Sequence, residues 1–261
     1  MSGPKSPPQL LLRSGSYSTL KVLPAALSGE WRKVYTSALK SPDPREDIMK
    51  LLFTCSLVTA ALALPLAAAA QDRFPTLTPD QLSAEQKAYV EALQKPPRSN
   101  TTALANPPFK VYMRSPALAE KLEAVSDYVR WGSGLPPRLT ELAIMITARQ
   151  WSNQWIWRGH YRAAVRGGLD PSVGADMAAG KRPEKMKPDE TILYNYATEM
   201  YRDKAVSDAT FAAAVKEFGE KGLIDLIATM GYYDTVAMTL ITAKAVAPKE
   251  DDVPQLAALP R

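Results

Sequence analysis

The sequence predicts an all-α protein, a helical bundle built from one domain. Three observations predict it. Apolar residues recur at three- and four-residue spacing through most of the chain after Gln71, and Pro, Gly and short polar residues stand where helices should start and stop. No run of alternating apolar and polar residues has the look of a strand.

Thr78-Pro79 offers a cap followed by Pro at the first helical position, so a first helix is expected from there towards Gln94, stopped by Pro96-Pro97. Residues 100–110 read as a loop because Pro107-Pro108 blocks regularity. Ser115-Pro116 starts the next helix, with Leu118, Leu122, Val125, Tyr128 and Val129 as its apolar stripe, and Gly132 and Gly134 end it. Pro136-Pro137 opens a helix through Gln150, with Leu139, Leu142, Ala143 and Ile146 on one side. A further helix spans about 152–166 and stops at Gly167-Gly168. Asp170-Pro171 caps a short helix to Ala179, and 180–188 is a polar loop. Helices follow over 190–202 and 208–218, the latter capped by Ser207. The last, 222–247, is apolar on more than one side and is expected at the centre of the bundle or at a subunit interface, before Pro248 and a loose tail over 249–261.

Before this domain, residues 49–70 have the three parts of a secretory signal peptide: the charged Lys50, an apolar run, and small residues ending at Ala70. The run is short for a membrane span and no stop-transfer sequence follows, so cleavage near Ala70 and a periplasmic or secreted protein without a membrane anchor are expected. Residues 1–48 read as a disordered or spurious extension, rich in Pro, Ser and basic side chains. The domain is then 71–261.

Cleavage changes the charge balance. Residues 1–50 hold eight of the 32 basic and four of the 27 acidic residues, which leaves 24 and 23 in the domain. That near-neutral balance gives no reason to expect a nucleic acid partner. Cys55, the only cysteine, leaves with the leader, so the domain has no thiolate nucleophile or disulfide. One histidine makes a poor transition-metal site, and no Gly-rich phosphate loop appears, so neither metal nor cofactor is called for.

The chemistry is concentrated in 138–161. His160 follows Trp157 by three and Asn153 by seven, which puts them on one helix face, and Glu141 and Arg149 share a face of the preceding helix. If the two helices form an antiparallel hairpin, a carboxylate, a guanidinium, an imidazole and an indole converge. His160 can donate or accept a proton near neutral pH, with Glu141 to orient it. Arg149 or Arg158 would hold a substrate carboxylate by a forked contact, and Trp157 would wall the pocket. The competing reading is structural: a hydrogen-bonded core histidine, tryptophans that only pack, and an ion pair between Glu141 and Arg149.

Arg138-Leu-Thr-Glu141-Leu-Ala, the Trp155 to His160 segment and Gly168-Leu-Asp-Pro-Ser together resemble the carboxymuconolactone decarboxylase family, whose fold is shared with alkylhydroperoxidase D-like proteins. The likeness covers roughly 115–247, with a looser part at Gly231-Tyr-Tyr-Asp, and the glutamate-to-histidine spacing of nineteen is its most specific feature. It implies a helical-hairpin core, homotrimers or homohexamers, and Glu141 and His160 as the residues to carry over. The thiol pair of the peroxidase-like members would fall at Asn153 and Ile156, so that branch's dithiol chemistry is absent. The cysteine-free members often have a glutamate where this chain has Ile156. The expected function is a lyase or isomerase acting on a small cyclic or aromatic-derived carboxylic acid. The alternatives are an antioxidant peroxidase and a non-catalytic oligomeric binding or scaffold protein.

Overall fold

The computed structural model describes residues 72–258, all-helical with no strand among them. The leader at 49–70, the extension at 1–48 and Cys55 lie outside the described residues.

The start of the chain differs from expectation. Pro79–Gln81 forms only a turn of 3₁₀-helix, and α1 begins afresh at Ala84–Leu93. Ser83 is the reason: its hydroxyl accepts from the Gln86 amide while the Gln86 side chain accepts from the Ser83 amide, a complete capping box that fixes the start. The expected loop over 100–110 gives way at its end to α2, Pro107–Tyr112. Its two prolines occupy the first helical positions, where no amide is needed, so they initiate the helix instead of blocking it.

Helix α3, Pro116–Asp127, widens at its end into a π-helical turn over Tyr128–Gly132. Its buried face matches the expected stripe only at Leu122, which packs against the core, and at Val129 in the π turn, which is buried. Leu118, Val125 and Tyr128 are exposed, whereas Ala119, Glu123 and Ser126 are buried. Small residues let α3 lie close to its neighbours, and Glu123 is tolerated inside because Tyr89 donates to it and Arg98 pairs with it at 2.6 Å.

Helix α4, Pro137–Gln150, is the central element: every residue from Leu139 to Arg149 is buried. A helix with no solvent face must be surrounded, and α5 (Gln154–Arg166), α7 (Pro188–Asp203) and α8 (Asp208–Thr242) surround it. The short α6, Pro171–Ala178, packs on α4 as well. Arg138 at the start of α4 forks onto Asp189 and the wholly buried Glu190 at the start of α7. Helix α8 breaks at Gly219, whose φ of 68° and ψ of 168° only glycine adopts without strain, so the expected separation of 208–218 from a later helix is seen. Beyond it, α8 buries Leu226, Met230, Tyr233, Ala237 and Leu240 and leaves Ile224, Met238 and Ile241 exposed.

The hydrophobic side chains form two clusters. The larger joins α4 to α8, and the smaller joins α1, α2 and α3 around Tyr89, Leu93, Tyr112 and Met113, with Leu122 touching both.

The tail over 249–258 is docked, not loose. Trp157 donates from Nε1 to the Pro254 carbonyl at 2.9 Å, the Leu256 amide donates to the Gln154 side chain, and the Ala257 amide donates to the Ala178 carbonyl. Glu250 meets Arg158 and Arg162, and Asp252 accepts from Arg162 twice. Val253 is buried.

Candidate active site

Two helix starts position the site. Pro137 fixes the beginning of α4 and so places Glu141 one turn in. Asn153 fixes the beginning of α5: its side-chain oxygen accepts from the Ile156 amide at 3.1 Å, the last step of a tight reversal in which Ser152 takes φ 48°. The two helices form the antiparallel hairpin the sequence implies, and Glu141 and His160 meet across it.

Glu141 Oε2 lies 2.5 Å from His160 Nδ1. His160 Nε2 has no protein partner among the described residues and remains available to a ligand. Burial pushes the Glu141 carboxyl up, but the charge and hydrogen bond of His160 and the nearby Arg130 guanidinium outweigh it, and its pKa falls below the ordinary value. Arg130 Nη2 is 3.6 Å from Glu141 Oε1. The Tyr233 ring meets the imidazole edge-to-face, with centroids 4.8 Å apart, and Tyr232 supports Tyr233 in the same way at 5.2 Å. Burial pushes the Tyr233 phenol up, so it stays protonated at neutral pH.

His160 opens onto a pocket of about 260 Å³. Phe109, Trp155, Ile156 and Val236 give it apolar walls, and Arg98, Arg130 and Arg158 give it positive charge. It sits at the seam between the two hydrophobic clusters, since Asn106, Pro108 and Phe109 belong to the α1–α3 layer and the others mainly to α5 and α8. A larger cavity of about 620 Å³ lies between α1 and α3 around Ala88, Tyr89, Glu123 and Ala124. Its lining holds no histidine, whereas the smaller pocket holds the Glu141-paired imidazole, so the proton-transfer chemistry points to the smaller pocket.

The residues predicted to share this pocket divide. Arg158 lines it, stacked on Trp155 with 4.7 Å to the ring centroid, but its Nη1 is 2.6 Å from Glu250. Asn153 is spent on capping α5. Trp157 is wholly buried and stacks on Tyr161, so Trp155, not Trp157, is the aromatic wall. Arg149 lines a different cavity with Tyr194 and Lys181, and its Nη1 donates to the Ala257 carbonyl at 2.7 Å. The reason is axial distance: eight residues along α4 share a face but stand about 12 Å apart. Sequence reasoning missed Arg130 and Tyr233. Tyr233 lay in the looser Gly231-Tyr-Tyr-Asp likeness, and Arg130 had no signal beyond its place beside Trp131 at a helix end.

No protein-family model matches the chain, and no curated protein matches it. Among solved structures, an uncharacterized peroxidase-related protein from Silicibacter sp. TM1040 superposes with a TM-score of 0.52 at 15% identity, over 66% of this chain and 88% of the other. A protein of unknown function from Agrobacterium tumefaciens, described as a candidate antioxidant defence protein AhpD, superposes with a TM-score of 0.48 at 16% identity, over 53% of this chain and 96% of the other. Over the stretch that superposes, the chain shares the all-helical fold of the Silicibacter peroxidase-related protein, in keeping with the helical fold expected from the resemblance.

Proposed function

With that fold as premise, we propose that the protein is an enzyme that moves a proton on a small carboxylic acid, as a lyase or isomerase. The observation that carries this reading is the 2.5 Å contact between Glu141 and His160 at the mouth of an arginine-lined pocket. Glu141 accepts from Nδ1–H and stabilises the imidazolium, so Nε2 acts as a general acid when protonated and as a general base when neutral. In a decarboxylation the electrons of the breaking carbon–carbon bond stay on the substrate as an enolate, and Nε2–H delivers the proton that quenches it. In an isomerisation the same nitrogen takes a proton from one carbon and returns it to another. The guanidinium of Arg130, beside the Glu141–His160 pair, favours the anionic intermediate in both cases.

The peroxidase reading has less support. The positions where its thiols would stand hold a capping asparagine and a packed isoleucine, and neither can attack a peroxide. Export after loss of 49–70 and assembly into a trimer or hexamer belong to the same proposal. The exposed Ile224, Met238 and Ile241 on α8 support the assembly.

The test is turnover of a panel of cyclic and aromatic carboxylic acids, followed by carbon dioxide release and absorbance. His160→Ala and Glu141→Gln are each expected to lower kcat by about 10² to 10⁴-fold on any active acid. Full activity of His160→Ala on every such acid would overturn the reading.

A further inference from the structure

The three arginines of the pocket are not equivalent. Arg98 is buried by its own pairs: Nη2 reaches Glu123 at 2.6 Å and Asp127 at 2.7 Å, and the guanidinium lies over the Phe109 and Trp131 rings. Arg158 is held by Glu250. Arg130 makes no hydrogen bond among the described residues, keeps 26% of its side chain open, and has only the long 3.6 Å approach to Glu141. The Nε of all three is buried without a partner, so what distinguishes Arg130 is that its one carboxylate neighbour, Glu141, stands at the long distance of 3.6 Å, against 2.6 to 2.7 Å for the pairs of Arg98 and Arg158. Glu141 divides its two oxygens, Oε2 to His160 at 2.5 Å and Oε1 towards Arg130.

The local backbone explains why Arg130 points here. Were α3 regular to its end, the side chain three residues past Asp127 would follow the α3 register. The π turn over Tyr128–Gly132 adds a residue to that turn and redirects the side chains it carries, a distortion that recurs at functional sites. The indole of Trp131 then packs on the guanidinium at 4.5 Å, holding its plane.

Resting on the proposed function, we infer that Arg130 is the anchor for the substrate's carboxylate, and that the ligand class is a planar, single-ring monocarboxylate. A carboxylate on the open edge of Arg130 lies beside the Glu141–His160 pair. A flat ring attached to it meets Phe109, Trp155, Ile156 and Val236, and the 260 Å³ volume suits one ring. Arg158 and Arg149, the two anchors the sequence suggests, are bystanders in this assignment: one is tied to the tail and the other opens elsewhere.

The experiment uses benzoate as the probe and the chain's only histidine as the reporter, because labelled histidine gives a single pair of ring signals. Benzoate is titrated into the full chain and the His160 ring shifts are followed. Wild type is expected to show saturable shifts, and Arg130→Gln to weaken the fitted Kd by about ten- to a hundredfold, the loss of a charged hydrogen-bonded pair. Arg130→Lys, which keeps the charge but loses the fork, is expected between the two. Arg158→Gln is expected within about threefold of wild type, since its charge is already matched by Glu250.

Wild-type affinity in an Arg130→Gln protein whose free His160 signals are unchanged overturns the assignment, as does a larger loss in Arg158→Gln than in Arg130→Gln. If Arg130→Gln does not fold, Arg130→Lys binding as tightly as wild type overturns it equally. A wild-type protein whose His160 signals never respond to benzoate counts against the functional reading itself, and so separates the two failures.

Discussion

Glu141 carries a pH signature that can be read without a substrate. Its folded pKa is depressed below the ordinary 4.5, so its ion pair stabilises the fold above the unfolded value and that contribution is lost as pH falls through the folded value. The window therefore lies below about pH 4.5. The stability gap between wild type and Glu141→Gln, measured by urea unfolding, is expected to be largest at pH 6 and to shrink towards pH 3. A gap that grew on acidification would contradict the pairing. At this scale the sequence was informative about which residues and poor on where they point. Glu141 and His160 could be picked out because hairpin geometry turns a fixed spacing into a contact. Arg149, Asn153 and Trp157 could not be placed, because helical periodicity gives an angle around the axis and says nothing of what lies opposite. Asn153 was the recoverable case, since an asparagine before a helical run is a cap first and a ligand second.

Helices were legible wherever a cap and a stop flanked a periodic run, which is why α4 to α7 begin and end within a few residues of expectation. Proline was the ambiguous mark. Pro107-Pro108 starts a helix and Pro79 fails to start a full one, because the outcome depends on which competing cap is satisfied by its partner. On α3 the apolar stripe predicted the buried face only in part, because burial of Glu123 depends on Tyr89 and Arg98, which come from elsewhere in the chain. Two predictions belong to these elements. Asn153→Ala removes the α5 cap and is expected to cost about 1 kcal/mol in thermal or chemical unfolding. It should leave benzoate binding close to wild type, in contrast to a role in binding. Gly174→Ala on α6 puts a methyl where the Tyr161 ring already lies, 2.5 Å from the new carbon, and is expected to cost about 1 to 3 kcal/mol by overpacking. An unfolding midpoint equal to wild type would show that Tyr161 can step aside.

At the scale of the molecule, the fold class was available from punctuation and periodicity, whereas the tail and the seam were not. The tail over 249–258 has no helical pattern, and what holds it are single hydrogen bonds and charges contributed by α4, α5 and α6. No local sequence signal encodes such partners. Removing 249–261 is expected to lower the unfolding midpoint, because it takes away the acceptors of the Trp157 indole N–H and the Arg149 Nη1 and the packing of the buried Val253. An unchanged midpoint by calorimetry would mean the tail only rests on the surface.

The pocket's position at the seam has a dynamic consequence. The layer formed by α1 to α3 has its own small core and contributes one wall, while the bundle contributes the imidazole. A separate core makes opening of that layer ahead of the bundle the expected behaviour of the free protein, to be measured by native-state amide exchange. The ring of the inferred monocarboxylate would bridge Phe109 on one side and Trp155 on the other, so benzoate is expected to slow amide exchange in helices that hold none of the acid–base pair, and unchanged exchange there would contradict it.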